Sequence, residues 1–152
     1  MQEKRLTHLD AHSEVAMVDV SAKPIQLREA IASGVIFLQS ATLDLIQGDA
    51  IAKGNVLATA RLAGIMAAKK TSDLIPLCHP LLITHCEVQF DFPSTRDRIV
   101  LRAKTVVQAQ TGIEMEALAA VSIAALTIYD MCKSVDKTMR ISEVHLVSKT
   151  KY

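Results

Sequence analysis

Residues 82–107 read LITHCEVQFDFPSTRDRIVLRAKTVV, two runs of alternating apolar and polar residues separated by the break Pro93 to Asp97. A period of two marks a half-buried strand, so residues 82–92 and 98–107 are expected to form a hairpin. The flanks on both sides switch toward the helical period. Upstream, Thr42 to about Lys70 reads as helix, broken near Gly48 into a short helix and a longer Ala-rich one, Val56 to Lys69. Lys69 and Lys70 at its end suit the negative pole of a helix dipole. The stretch Ser72 to Pro80 reads as a loop.

Downstream, Ile113 to about Val135 is expected as one long helix, and 139–148 alternates again as a last strand. Residues 25–39 are read as mostly strand, although the spacing of Leu27, Ala30 and Ile31 also suits a helix. Residues 17–21 (MVDVS) read as a further extended segment. The order strand, helix, hairpin, helix, strand is the β-α-β-β-α-β pattern of ferredoxin-like α+β folds. An antiparallel sheet covered by helices, with an extra short helix, is therefore expected.

The chain has 152 residues, half of them apolar, which is the size of one domain with a real core. No repeat, low-complexity tract or Gly/Ser linker divides it, so a polar, flexible start (1–16) is expected to precede a single catalytic domain (17–152). Seventeen basic and sixteen acidic residues give a net charge of +1, and there is no Trp. Charge and stacking thus both argue against a nucleic-acid partner. Cys78, Cys86 and Cys132 form no C-x-x-C pair and cannot all be paired, which fits a reducing compartment. The polar start lacks a secretory apolar stretch, and the longest uncharged run, Ala117 to Tyr129, is short for a bilayer span. A cytoplasmic protein without a membrane partner is expected.

That uncharged run, ALAAVSIAALTIY, has no charge on any face, and a helix apolar all round must be covered all round. A sheet covers one side. The other side is expected to pack on a second subunit, with Ala117, Ala120 and Ala124 allowing close approach.

Several side chains suggest chemistry. Thr111 and Glu114 have capping-box spacing at the start of this helix, which leaves Glu116 unexplained. A carboxylate there suits a guanine-type ring, whose N1–H and exocyclic amine present two parallel donors. Asp130 and Lys133, three apart near the other end, are either an exposed ion pair or an acid/base pair; burial at the edge of the apolar run would raise the aspartate pKa. Glu116 and Asp130 lie on nearly the same face but about 21 Å apart along the axis. One site using both would have to cross an interface in which a second chain's helix runs the opposite way.

His79 precedes Pro80 in the loop DLIPLCHP and so sits on stiffened, extended backbone, a fair place for a general acid or base. The Cys78-His79 and His85-Cys86 pairs invite a zinc reading, but neighbours on a strand point to opposite faces, and no metal is expected. Arg61 is the only charge between Val56 and Ala68 and is expected to need an anionic partner, a carboxylate or a ligand phosphate. Lys53-Gly54-Asn55 places a cation beside a flexible glycine.

Together, MVDVSAK (17–23), KGNVLATARLAGIMAAKKTSDLIPLCHPL (53–81) and GIEMEALAAVSIAALTIYDMCK (112–133) closely resemble the MoaC family, the cyclic pyranopterin monophosphate synthases of molybdenum cofactor biosynthesis. The resemblance covers nearly the whole chain after the polar start. It implies a lyase that converts 3′,8-cyclo-7,8-dihydro-GTP into cyclic pyranopterin monophosphate with release of diphosphate, without a cofactor. It also implies a homohexamer, a trimer of dimers with the site at a dimer interface, supplied by an upstream radical SAM GTP cyclase. Catalytic roles fall on Asp130, Lys133, Lys53 and His79. Substrate contacts fall on Leu77, Cys78 and His79, on Glu114, Met115 and Glu116, and, for the triphosphate, on Lys23 and Arg28. Asn55 departs from the Asp that usually follows Lys-Gly. The alternative class is a non-catalytic nucleotide-binding regulatory module.

Overall fold

The structure is a computed structural model that describes residues 7–10 and 12–152. Eight elements follow in order: β1 (Gln26–Phe37), α1 (Ser40–Gln47), α2 (Val56–Lys69), α3 (Thr71–Leu74), β2 (His85–Asp91), β3 (Arg98–Ala109), α4 (Glu114–Cys132) and β4 (Arg140–Lys151). The strands form one antiparallel sheet in the order β2-β3-β1-β4. With α2 and α4 as the two main helices, this is the ferredoxin-like α+β order expected from the alternation. The ambiguous segment 25–39 is a strand because it pairs on both sides, to β3 and to β4.

Three readings differ. Residues 17–21 join no ladder, and two short helices, α1 and α3, accompany the main pair where one was expected. The second, α3, lies in the stretch read as loop. Of the polar start, residues 1–6 and 11 lie outside the described residues. Leu9 and Val15 close a small antiparallel bridge, with Asp10 Oδ1 accepting from the backbone of His12 and Glu14.

The alternation of each strand sends one set of side chains under the helices. Ala30, Ala32 and Ile36 of β1, Val88 of β2, and Ile99, Leu101, Ala103 and Val107 of β3 are buried with Val56 and Ala60 of α2 and Ala117, Val121, Ala125 and Ile128 of α4. Gly34 lets α4 come down on the sheet: a Cβ there would stand 2.6 Å from Val121 Cγ1. Although α4 is long and apolar enough to cross a membrane, half of that window is buried inside the molecule, and it serves as the core helix.

The cover of α4 corrects one expectation. Ala117, Ala120 and Ala124 are fully buried within the protomer, so they offer nothing to a second chain. Beside two of them lies Gly64 of α2, where a Cβ would sit 2.9 Å from the Ala120 carbonyl oxygen and 3.3 Å from Ala124 Cβ. The small residues thus let two helices of one chain meet. What stays uncovered on α4 is narrow, Leu126 being its one large exposed apolar residue.

A buried carboxylate holds the far end of the fold. Asp136, 2% exposed, accepts from the Gln39 N–H, the Thr42 hydroxyl, and the N–H and hydroxyl of Thr138. Burial alone would raise its pKa, but these donors together bring it below the usual carboxylate value. They tie the β1–α1 junction to the α4–β4 loop.

Gly64→Ala tests the helix seam. Overpacking costs about 1–3 kcal/mol, offset in part by about 1 kcal/mol of helix propensity. Thermal melting is expected to show a net loss of up to about 2 kcal/mol; a raised melting temperature would contradict the close approach.

Candidate active site

The residues singled out in the sequence gather at the two ends of α4. At its C-terminal end, Lys53 Nζ donates to Asp130 Oδ2 at 3.0 Å and to the Asp130 backbone oxygen at 3.0 Å. Lys133 Nζ lies 2.8 Å from Asp130 Oδ1. Local structure makes this meeting. Gly54, with φ +107, turns the chain so that Lys53 points at α4, a conformation L side chains rarely adopt. Asn55 then caps α2, its side chain accepting from the Ala58 N–H at 2.8 Å. Asn and Asp cap helices equally well, so the departure at Asn55 preserves the local fold.

The electrostatics here reverse the expectation for Asp130. Its side chain is 56% exposed, and hydrogen bonds from Lys133 and then Lys53 hold its pKa below the ordinary value. Lys133 is correspondingly held protonated, its pKa raised by Asp130. Exposed ion pairs add little stability. The cluster instead presents an ionised carboxylate between two ammonium groups, with no burial needed.

At the N-terminal end the capping box does not form: Ile113 is the N-cap, and no side chain bonds the cap. Glu114 folds back over Gly112, and its Oε2 is buried with no hydrogen-bond partner among the described residues. Glu116 is 4% exposed, and burial, with a smaller contribution from Glu114, raises its pKa to about 7. The half-buried Leu77-Cys78-His79 segment approaches this end, since burial and then the charges of Glu116 and Glu114 push the Cys78 thiol up. His79 Nε2 lies 2.8 Å from the Val18 carbonyl oxygen. Met115 is partly exposed beside them.

Next to Glu114 opens a cavity of about 390 Å³ whose charged lining is Lys23, Arg28, Glu29, Glu114, Lys149 and Lys151. Arg28 is fixed in place by donating to the backbone oxygens of Ala109 and Gln110, each at 3.1 Å. Lys149 reaches Glu114 Oε1 at 3.5 Å. Four cations around two carboxylates suit a polyanionic ligand. Lys149 and Lys151 escaped the sequence reading because nothing local marks them. The β1–β4 register places them there: it pairs Lys151 with Arg28, and Lys149, two residues earlier, shares the same face.

The chain belongs to the MoaC family. The sequence model of that family matches residues 17–151. Proteins named cyclic pyranopterin monophosphate synthase are similar over nearly all of this chain. That of Desulforapulum autotrophicum is 56% identical over 144 residues, 95% of this chain and 88% of the relative. That of Parvibaculum lavamentivorans is 53% identical over 150 residues, 99% and 94% of the two chains. A protein of Mycobacterium tuberculosis, named cyclic pyranopterin monophosphate synthase 3, is 52% identical over 145 residues, 95% and 81% of the two.

For this MoaC-family chain, Lys53, Asp130 and Lys133 thus form one group. The 77–79 segment, Glu114–Glu116, Lys23 and Arg28 form another, about 21 Å along α4 from the first. Arg61 belongs to neither. It is exposed, donates to the Val88 carbonyl oxygen at 3.0 Å and stacks on Phe90, so its partner is not the anion expected. Among the described residues no cluster of three or more His, Cys, Asp or Glu side chains could hold a metal ion. Burial raises the pKa of both Cys86 and Cys132 to about 11, which makes all three cysteines poor nucleophiles at neutral pH.

The raised Glu116 pKa has a signed consequence for stability. The folded protein holds this proton from the ordinary value of 4.5 up to about 7, whereas the unfolded chain releases it. Stability from this group is full below 4.5 and is lost as pH rises through 7. Denaturant unfolding across that range is expected to show wild type losing stability relative to Glu116→Gln; parallel curves would mean that Glu116 titrates normally.

Proposed function

We propose that this protein is a cyclic pyranopterin monophosphate synthase of molybdenum cofactor biosynthesis. It converts 3′,8-cyclo-7,8-dihydro-GTP into cyclic pyranopterin monophosphate and diphosphate. The observation that carries the reading is the shared name of relatives that span 95% or more of this chain at 52–56% identity. The side-chain geometry supplies suitable chemistry for it.

The reaction requires hydrolytic opening of the bicyclic substrate, rearrangement to the pterin ring and attack of a sugar hydroxyl on the α-phosphorus. That last step forms the cyclic phosphate and breaks the bond to diphosphate. Asp130, ionised between Lys53 and Lys133, accepts protons, while the two ammonium groups donate them and steady developing negative charge. Glu116 or Glu114 receives the paired N–H donors of the guanine-type ring, with Leu77, Cys78 and Met115 against its faces. Lys23 and Arg28, joined by Lys149 and Lys151, hold the triphosphate, and His79 acts at the ring. Residues 17–152 are the catalytic unit.

The two groups of residues serve one reaction if a second chain's α4 runs antiparallel to the first and sets its Glu116 end beside this chain's Asp130 end. Leu62 and Met66 of α2 and Leu126 of α4 are exposed, which supports covering by another chain. The assembly proposed is a homohexamer, a trimer of dimers, in the cytoplasm, where its free thiols remain reduced. It takes its substrate from an upstream radical SAM GTP cyclase.

Purified protein given the cyclised dihydro-GTP is expected to release diphosphate and form the pterin, and Asp130→Asn, with an unchanged melting curve, to form at least about 100-fold less. Saturable binding without product in wild type would instead indicate a regulatory nucleotide-binding module. The shared site has its own test: His79→Gln and Asp130→Asn, each inactive alone, are expected to regain about a quarter of wild-type activity when co-refolded, because random pairing rebuilds intact sites. No recovery would place the whole site within one chain.

A further inference from the structure

The segment 17–24 is largely exposed and pairs with no strand, yet it holds its shape. Asp19 Oδ1 accepts from the Ser21 N–H and hydroxyl at 2.9 and 2.6 Å, and the Lys23 N–H donates to the Val20 carbonyl at 2.9 Å. Among the described residues, three hydrogen bonds join this turn to the rest of the protein. The Gln110 side-chain amide donates to the carbonyls of Ser21 and Lys23, both at 3.1 Å, and His79 Nε2 meets the Val18 carbonyl. Gln110 is itself anchored, since Arg28 donates to its backbone oxygen.

A backbone carbonyl oxygen can only accept, so His79 Nε2 must carry the hydrogen of this bond. In the neutral ring that leaves Nδ1 as a bare acceptor. From this we infer that Gln110 is a positioning residue. Through the 17–23 turn it holds the Val18 carbonyl against His79, fixes the Nε2–H tautomer, and leaves Nδ1 as the nitrogen that meets substrate. Neutral His79 then serves as a proton acceptor at Nδ1 and donates there only as the imidazolium. The same clamp holds Lys23 at the rim of the cationic cavity, so one amide sets both groups. Its importance for turnover rests on the lyase reading above; the tautomer does not.

The test is ring ¹⁵N NMR of histidine-labelled protein at mildly alkaline pH, where free imidazole is neutral. The signal of His79 among the five histidines is assigned by its loss in His79→Gln. Wild type is expected to show a protonated Nε2 and an unprotonated Nδ1. Gln110→Met, similar in length but without a donor, is expected to show averaged tautomers and about tenfold lower kcat, with the melting transition unchanged. Gln110→Glu, which also lacks the donor, is expected to average the tautomers likewise and replaces Gln110→Met if that variant does not fold.

A wild-type Nδ1–H tautomer would overturn the inference, and so would an unshifted tautomer in both Gln110 variants. If the protein turned over no substrate at all, the lyase reading would fall, while the spectra would still decide this one.

Discussion

The structure depends on the burial of α4. A helix whose middle, Ala117 to Tyr129, is uncharged can lie only where apolar surface meets it on more than one side, and the chain provides two: the sheet, lowered around Gly34, and α2, admitted at Gly64. Both contacts work by omission of a side chain: at Gly34 the strand backbone receives the Val121 side chain, and at Gly64 the α2 backbone approaches the Ala120 carbonyl, which gains dispersion contacts along the seam. Once α4 is locked in this position, its ends are fixed in space. Those ends carry Glu116 and Asp130.

The two ends create opposite environments for the same functional group. At the N-terminal end burial removes water from Glu116, disfavours its charge and holds its proton until about neutrality. At the C-terminal end Asp130 stays in contact with water and is gripped by two lysines, which favours the charge. Two carboxyl groups on one helix are thereby pushed to opposite sides of their ordinary pKa values. Here the separation comes from burial at one end, where Glu116 is 4% exposed, and from the two lysines that meet an exposed Asp130 at the other.

The cationic cavity follows from sheet topology. Because β4 pairs with β1, the end of the chain returns to the start of the domain, and Lys149 and Lys151 stand beside Arg28 and Lys23. No stretch of sequence holds these four together. The exposed 17–24 turn closes over the same corner, held by few bonds, which makes Gln110 and His79 more consequential than their positions in the sequence suggest.

The sequence by itself determined the order of the four sheet strands and the two main helices, because alternation and helical period are local consequences of which face must be buried. It also determined the family, through strings such as DLIPLCHPL and ALTIYDMCK. It showed that Glu116 and Asp130 could not meet on one helix, since the rise per residue is fixed. Only tertiary structure decided what covers α4, and it assigned the alanines to α2 where the sequence suggested a second chain. It decided the sign of the Asp130 shift, because exposure and the arrival of Lys53 from another element cannot be read along one helix. It found a carbonyl and a phenyl ring for Arg61, four donors for Asp136, and a place for Lys149 and Lys151 beside Arg28. These all depend on contacts between residues far apart in sequence, and only the folded chain sets the distances on which solvation and charge interaction act.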